Sequence, residues 1–475
     1  MKPAQKNLFT AGLAFLLLSG CTLAPAYRQP DLPVAENLPA TQANRNSSPA
    51  TKDAATITAE LGWREYFTDS RLQQCLTLAL ANNRDLRVSA LTVEAYQAQY
   101  RIQRSALFPA ISAEGVGSKQ RTLNGSNYVT SELYSAAVGI TAYELDLYGR
   151  VRNLKDQALE QYLGMEETHR SARISLVAEV ARAYLTWIAD RELLTITEDT
   201  LRIEEESFQL IEQRAQEGVA NQLDVAQART SLETARANLS LYQRLVAQEI
   251  NSLTQLVGTA LPASFFQDAG PLNAQRIVAL PPALLPSRVL LQRPDIMAAE
   301  HQLKGAHADI GAARAAFFPT ISLTAKTGAI SGDLSRLFDG NSGSWLFSPS
   351  INLPIFTAGR LQAQLDAAEI RKDISVASYE KAIQTAFREA ADALVASDTF
   401  VQQLLAQKAN LDANQTYHTL ARDRYQQGLD SFLTLLDAQR SLYSARQRYL
   451  ALQLSQLINQ VNLYKALGGG WKERS

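Results

Sequence analysis

The chain has 475 residues, enough for two or three ordinary domains, with 46 Lys plus Arg against 47 Asp plus Glu and a net charge of −1. That balance, without a basic block, gives nucleic-acid binding no electrostatic support. Two cysteines, Cys21 and Cys75, leave no room for a disulfide framework.

The chain opens with Lys2 and Lys6, then an apolar run from Leu8 to Leu18, then "LLLSGC" ending at Cys21. This pattern predicts a signal peptide over 1–20, with Cys21 becoming the lipidated first residue of the mature protein. Thr22 follows where inner-membrane retention uses Asp, so the expected address is the outer membrane. Past the leader no apolar stretch reaches the roughly 18 residues of a spanning helix, and "ISLVAEVARAYLTWIA" is broken by Glu179 and Arg182. An exported, tethered chain of this kind is peripheral or a β-barrel. A polar segment with five prolines from Pro25 to Pro49 reads as extended. Cys75, in "LQQCLTLAL", reads as buried helix packing.

Beyond about residue 80 the chain is written twice, 210 positions apart. "RSALFPAIS" at 104–112 returns as "RAAFFPTIS" at 314–322. In the same register Asp85 matches Asp295, Gly149-Arg150 matches Gly359-Arg360, Arg214 matches Arg424, Gly218 matches Gly428 and Gly258 matches Gly468. This is a tandem duplication. The expected organisation is an N-terminal segment 21–70, a first repeat 71–258, a linker 259–287, a second repeat 288–468 and a tail 469–475. The linker holds five prolines from Pro262 to Pro286.

Within each copy a helix runs into Phe-Pro, where proline ends it (Phe108-Pro109 and Phe318-Pro319). Alternation follows: Ile321, Leu323 and Ala325 interleave with Ser322, Thr324 and Lys326. Strands are therefore predicted at about 110–120, 134–147, 319–330 and 345–355, joined by loops at 121–132 and 331–344. Each strand is long enough to cross a bilayer when tilted. Long helices come next. Between 151 and 257 the only glycines are Gly164 and Gly218, and between 361 and 467 only Gly428. Ile174, Val177, Ala181, Tyr184 and Ile188 form a coiled-coil-like seam, as do Ile383, Phe387, Ala390 and Leu394. The run from 360 to 427 would make about 100 Å of helix. Gly218 and Gly428 read as hairpin tips, with Asn221, Asp224 and Ser431 capping the returning helices. Four strands cannot close a membrane barrel, whose minimum is about eight. Several chains must share one, and a lumen wide enough for a duct needs at least three.

These residues resemble the OprM-type outer membrane factors of the TolC superfamily. The resemblance runs along nearly the whole chain. It includes "GWREYFTD" at 62–69, "YELDLYGRVRNLKDQALEQYL" at 143–163, "LQRPDI" at 291–296, "GSWLFSPSINLPIFTAGR" at 343–360, "LTLLDAQRSL" at 433–442 and "VNLYKALGGGW" at 461–471. It implies a mainly α fold with membrane β-strands: a trimer whose 12-stranded barrel continues into a long helical barrel in the periplasm. It implies the outer membrane channel of a tripartite multidrug efflux system, with a periplasmic adaptor and an inner-membrane resistance-nodulation-division transporter as partners. By resemblance, Leu433, Asp437 and Arg440 belong to a periplasmic gate and Tyr425 to the bonds that hold it. Asp224 lies on the equivalent turn of the first repeat. The tips at Gly218, Val219, Gly428 and Leu429 would meet the adaptor. From the residues alone, Asp437 and Arg440 form an i,i+3 pair on a helix surface.

No catalytic constellation is present, so no enzyme activity and no cofactor are expected. His301 and His307 lack the spacing of a helical metal site, and "GGG" at 468–470 follows a helix and reads as a helix stop. A structural coiled-coil lipoprotein would not need the alternating strands. A duct serving protein secretion would need them, and remains the nearer alternative.

Overall fold

The computed structural model describes residues 22–39, 62–267, 269–278 and 285–469. The signal peptide, Cys21 and all of the tail but Gly469 lie outside the described residues. The elements are α1 (Trp63–Tyr66), α2 (Ser70–Asn82), α3 (Arg84–Ser105), β1 (Ile111–Asn124), β2 (Asn127–Leu145), α4 (Arg150–Gln216), α5 (Gln222–Val257), α6 (Pro294–Ala315), β3 (Thr320–Ser331), β4 (Gly343–Asn352), α7 (Arg360–Gln426) and α8 (Phe432–Ala466). The helices keep the duplication closely: α3 and α6 each have 22 residues, α4 and α7 each have 67, and α5 and α8 have 36 and 35. The strands do not: β2 has 19 residues and β4 has 10. Duplicated packing therefore constrains the helices more tightly than the sheet.

Contacts divide the chain into two compact units. The described residues of the first are 22–31, Thr92–Glu166 and Ala298–Glu380. Its sheet is antiparallel throughout, in the order β1-β2-β3-β4. The expected loop at 121–132 is mostly strand instead. β1 and β2 pair down to Asn124 opposite Asn127, leaving Gly125-Ser126 as the turn, with Gly125 at φ +65°. Cross-strand pairs hold this ribbon: Lys119 with Glu132, and the Arg121 guanidinium 4.6 Å from the Tyr128 ring centre. The expected loop at 331–344 shrinks to 332–342, where Asp333 caps a single 3-10 turn and Ser342 donates to the carbonyls of Leu337 and Asp339. β4 ends at Asn352, short of the expected 355, because Pro354 has no N–H to continue a ladder. Pro349 lies within β4, opposite Leu323 of β3.

Residues 22–31 carry no helix or strand, in keeping with their prolines, and are tied down in this unit. Thr22 Oγ1 donates to Asn153 Oδ1 (3.0 Å), Tyr27 to Glu300 (3.0 Å) and Gln29 to Tyr379 (2.9 Å). The Ala24 methyl occupies the space a side chain at Gly311 would need, 2.8 Å from its Cβ position.

The second unit comprises the described residues within Leu32–Leu91, Glu167–Met297 and 381–469. Its core gathers Trp63, Tyr66, Phe67, Cys75 and Leu76 from the N-terminal helices against Val180, Tyr184, Trp187 and Ile188 of α4 and Tyr464 of α8. Cys75 is fully buried, as its helical context predicts. Tyr66 stacks on Tyr464 at 4.5 Å and donates to the Gln460 carbonyl (2.8 Å). The seam Ile174, Val177, Ala181, Tyr184 and Ile188 is buried throughout. In α7 the buried stripe is Ile383, Ala386, Ala390 and Ala393, with Phe387 and Leu394 half-buried beside it.

Candidate functional site: the helical hairpin tips

Both tips are built in the second unit by the same local chemistry. After α4, Gly218 takes φ +78°, so that its N–H bonds the Ala215 carbonyl (3.1 Å) and Val219 N–H bonds that of Arg214 (2.8 Å). After α7, Gly428 at φ +73° repeats this with Tyr425 (3.0 Å), and Leu429 with Arg424 (2.9 Å). A glycine is needed here for its left-handed backbone, since a Cβ at either position would meet open space. Val219 (74% exposed) and Leu429 (62% exposed) project from the two turns.

The returning helices are capped differently. Asn221 and Asp224 form a full capping box at α5, whereas Ser431 alone caps α8 through the Thr434 N–H. Asp224 is thus occupied as a helix cap, accepting from the Asn221 N–H at 3.3 Å.

The tips also differ in their charges. Arg424 closes on Asp430 of its own tip with two bonds, 2.7 and 2.9 Å. Its counterpart Arg214 has Ala220 where that aspartate would stand. Arg214 instead reaches the second hairpin and donates to the Tyr425 hydroxyl at 2.8 Å, its guanidinium 5.1 Å from the ring centre. Tyr425 is buried with Ile211, Ala228, Phe432, Leu435 and Leu436. Burial pushes its hydroxyl pKa up, and Arg214 partly offsets that.

On α8, Phe432, Leu435, Leu436 and Ala438 turn inward. Leu433, Asp437 and Arg440, spaced i, i+4 and i+7, share an exposed face. The i,i+3 pair of Asp437 with Arg440 does not form. Asp437 accepts from the Tyr417 hydroxyl of α7 (3.1 Å), and Arg440 donates to Ser231 of α5 (2.9 and 3.2 Å). A helix surface offers that pair only a few tenths of a kcal/mol, so cross-helix partners displace it. The arrangement therefore ties the second hairpin to the first through Tyr425 and Arg440, and leaves Leu433 and Asp437 outward. Arg214, Ser231 and Tyr417 were not foreseen as members. The missing acid at Ala220 is the signal that could have singled out Arg214.

The family model described as outer membrane efflux protein matches residues 75–259 and 285–469. The chain belongs to this family. Its matched segments fall on the two copies of the helix-strand-strand-helix-helix unit. The chain is 54% identical over 475 residues to the antibiotic efflux pump outer membrane protein ArpC of Pseudomonas putida, covering 99% of this chain and 97% of the relative. It shows the same identity and coverage to the toluene efflux pump outer membrane protein TtgC, also of Pseudomonas putida. Among solved structures, the open state of the Neisseria gonorrhoeae MtrE outer membrane channel superposes with a TM-score of 0.84 at 39% identity, over 95% of this chain and 99% of that one. This outer membrane efflux protein is accordingly a channel protein of the Gram-negative outer membrane, with the TolC-type fold of long helices and four membrane strands per chain.

Proposed function

We propose that three copies of this outer membrane efflux protein form one exit duct, closed at its periplasmic end by the hairpin tips. The carrying observation is the sheet: four strands, with β1 and β4 as unpaired edges. Three such sheets, edge to edge, would close a 12-stranded barrel. The repeats 71–258 and 288–468 would supply barrel and helices, with 21–70 and 259–287 packed around them. Lipid on Cys21 would anchor the assembly in the outer membrane.

The tips act as the gate in this reading. Threefold symmetry would bring three copies of Leu433 and Asp437 around one axis. Three carboxylates there repel one another and favour cations, while three leucines narrow the path. Arg214–Tyr425 and Arg440–Ser231 hold the second hairpin against the first and so hold the gate shut, with Asp224 keeping the first hairpin's return helix capped. Gly218, Val219, Gly428 and Leu429 would be the surface offered to a periplasmic adaptor, which couples the duct to an inner-membrane transporter of the resistance-nodulation-division class. The duct is passive, and that transporter supplies the energy.

The cargo is proposed to be drugs and other toxic small molecules. Relatives equally similar to this chain carry antibiotic and toluene in their names, which fits selection of cargo upstream of the duct. A strain lacking the gene should become hypersensitive to chemically diverse antibiotics, dyes and detergents with an unchanged secretome. Loss of a secreted protein with unchanged susceptibility would replace efflux by protein secretion.

A further inference from the structure

Behind the exposed face of α8 lies a carboxylate that the gate reading leaves unused. Glu204 of α4 is only 4% exposed, and its Oε2 has no hydrogen-bond partner. A buried carboxyl without partners is costly when ionised. The charged group acting on it is Arg440, whose guanidinium is directed to Ser231 Oγ, itself 5% exposed.

We propose that Glu204 is a proton-sensitive positioning residue of the gate. Neutral, it stays within the closed packing of α4, α5 and α8. Ionised, it draws water or the Arg440 guanidinium into that seam and loosens the tip. The inference rests on the gate reading above.

The neighbouring charges do not supply this switch. On α4, Arg202 pairs with Glu206 (3.1 Å) and Glu205 with Arg236 of α5 (3.3 Å), which also binds Glu233 (3.0 Å). On α8, the Tyr443 hydroxyl is bonded to Thr197 (2.8 Å), and Asp437 is exposed. From α7, His418 and Arg422 line a groove of about 370 Å³ with Arg202 and Glu206. Burial, then Arg422 and Arg446, lower the His418 pKa, so it gives up its proton more readily than an ordinary histidine. Of these groups only Glu204 joins deep burial to an unpartnered carboxylate oxygen.

The sign follows from linkage. Burial pushes the Glu204 carboxyl up to about 7 from an ordinary 4.5, and Arg440 offsets only part of this. Opening parts α8 from α4 and hydrates the group, returning it toward the ordinary value. The closed form holds the proton more tightly, so it is fully favoured below pH 4.5 and loses that advantage as pH rises to about 7. Full hydration would change the closed-to-open ratio by up to about three-hundredfold.

The test is conductance of the full-length protein in planar lipid bilayers at pH 5 and pH 8. Wild type should open roughly tenfold more often at pH 8. Glu204→Gln should be flat with pH and stay at the wild-type acid level. Glu204→Asp should keep a pH response, and His418→Gln should keep the wild-type rise. A Glu204→Gln channel that follows the wild-type pH curve, or a Glu204→Asp channel that is flat, overturns the proposal. Leu433→Ala with Asp437→Ala separates the two readings. If this pair opens the channel at both pH values while Glu204→Gln behaves as wild type, the gate stands and the proton switch falls. If the pair conducts as wild type at both, the gate reading fails and the switch with it.

Discussion

Arg214 Nη1 lies 2.8 Å from the hydroxyl of Tyr425, a bond that joins the hairpin of the first repeat to that of the second. It exists because duplication left the two tips unequal. Arg424 keeps Asp430 within its own turn, and Arg214 has no such acid. Tyr425→Phe removes the acceptor but keeps the ring in its pocket. A hydrogen bond to a charged group is worth about 1.5–3 kcal/mol, so the closed-to-open ratio should fall roughly tenfold or more. Arg214→Ala should do the same, and the double variant should add little beyond either single change. Bilayer conductance of all three checks this. Full additivity would mean that the two residues act separately.

A second prediction concerns the membrane sheet. A Cβ at Gly139 of β2 would run into the Ala325 carbonyl and come within 2.6 Å of the Lys326 Cα on β3. Gly328 of β3 meets the Ala136 carbonyl and the Ala137 Cα (2.6 Å) in the same way. Both contacts are backbone, which cannot swing aside. Gly139→Ala and Gly328→Ala should each abolish the proposed oligomer, checked as its loss from non-denaturing gels of outer membrane extracts. Gly340→Ala, where a Cβ meets nothing within 4 Å, should leave that oligomer at wild-type levels.

A third prediction concerns Arg293, buried where α8 ends. It donates to Asp295 (2.7 Å), Glu389 (2.9 Å) and the Ala466 carbonyl (2.8 Å). Truncation leaves two carboxylates and a carbonyl without their cation. Breaking a buried ionic cluster by removing one partner costs about 3–5 kcal/mol. The two acids are about 40% exposed, so screening should hold the loss for Arg293→Ala to the lower end of that range. A lower denaturation temperature checks it, and Arg293→Lys should recover only part, since an ammonium cannot reproduce the fork of bonds.

The helices were legible because their signals are local. Gly218, Gly428 and breaker-free runs of Ala, Leu and Gln mark ends and interiors without any tertiary information. The strands were less so. Gly125-Ser126 is a Gly-X pair of the kind that closes two-residue hairpins, yet the polar residues around it read as a loop. A ribbon whose residues are exposed on both faces carries no alternation to read, and β1 is exposed along its whole length. The tip residues divide in the same way. Leu433, Asp437 and Tyr425 came from the family resemblance, and the caps came from local pattern. Arg214, Ser231 and Glu204 depend on which helices meet across more than 200 positions of sequence or on burial between them, and no periodicity in one helix reports that.

The last prediction concerns the anchor. Cys21 is the expected lipid site, and the segment that follows it has side-chain contacts of its own. Thr22, Tyr27 and Gln29 bond to Asn153, Glu300 and Tyr379, and Ala24 fills the notch at Gly311. These contacts should hold the segment once the barrel is inserted. Cys21→Ser, exported by a signal that needs no lipidation, should therefore retain a measurable part of wild-type drug resistance in a deletion strain. Adding Tyr27→Ala and Gln29→Ala to that variant should lower resistance further, because lipid and side-chain contacts then fail together. The same two substitutions with Cys21 intact should cost less. Complete loss of resistance in Cys21→Ser alone, with normal amounts of oligomer in the outer membrane, would show that the lipid does more than tether the chain.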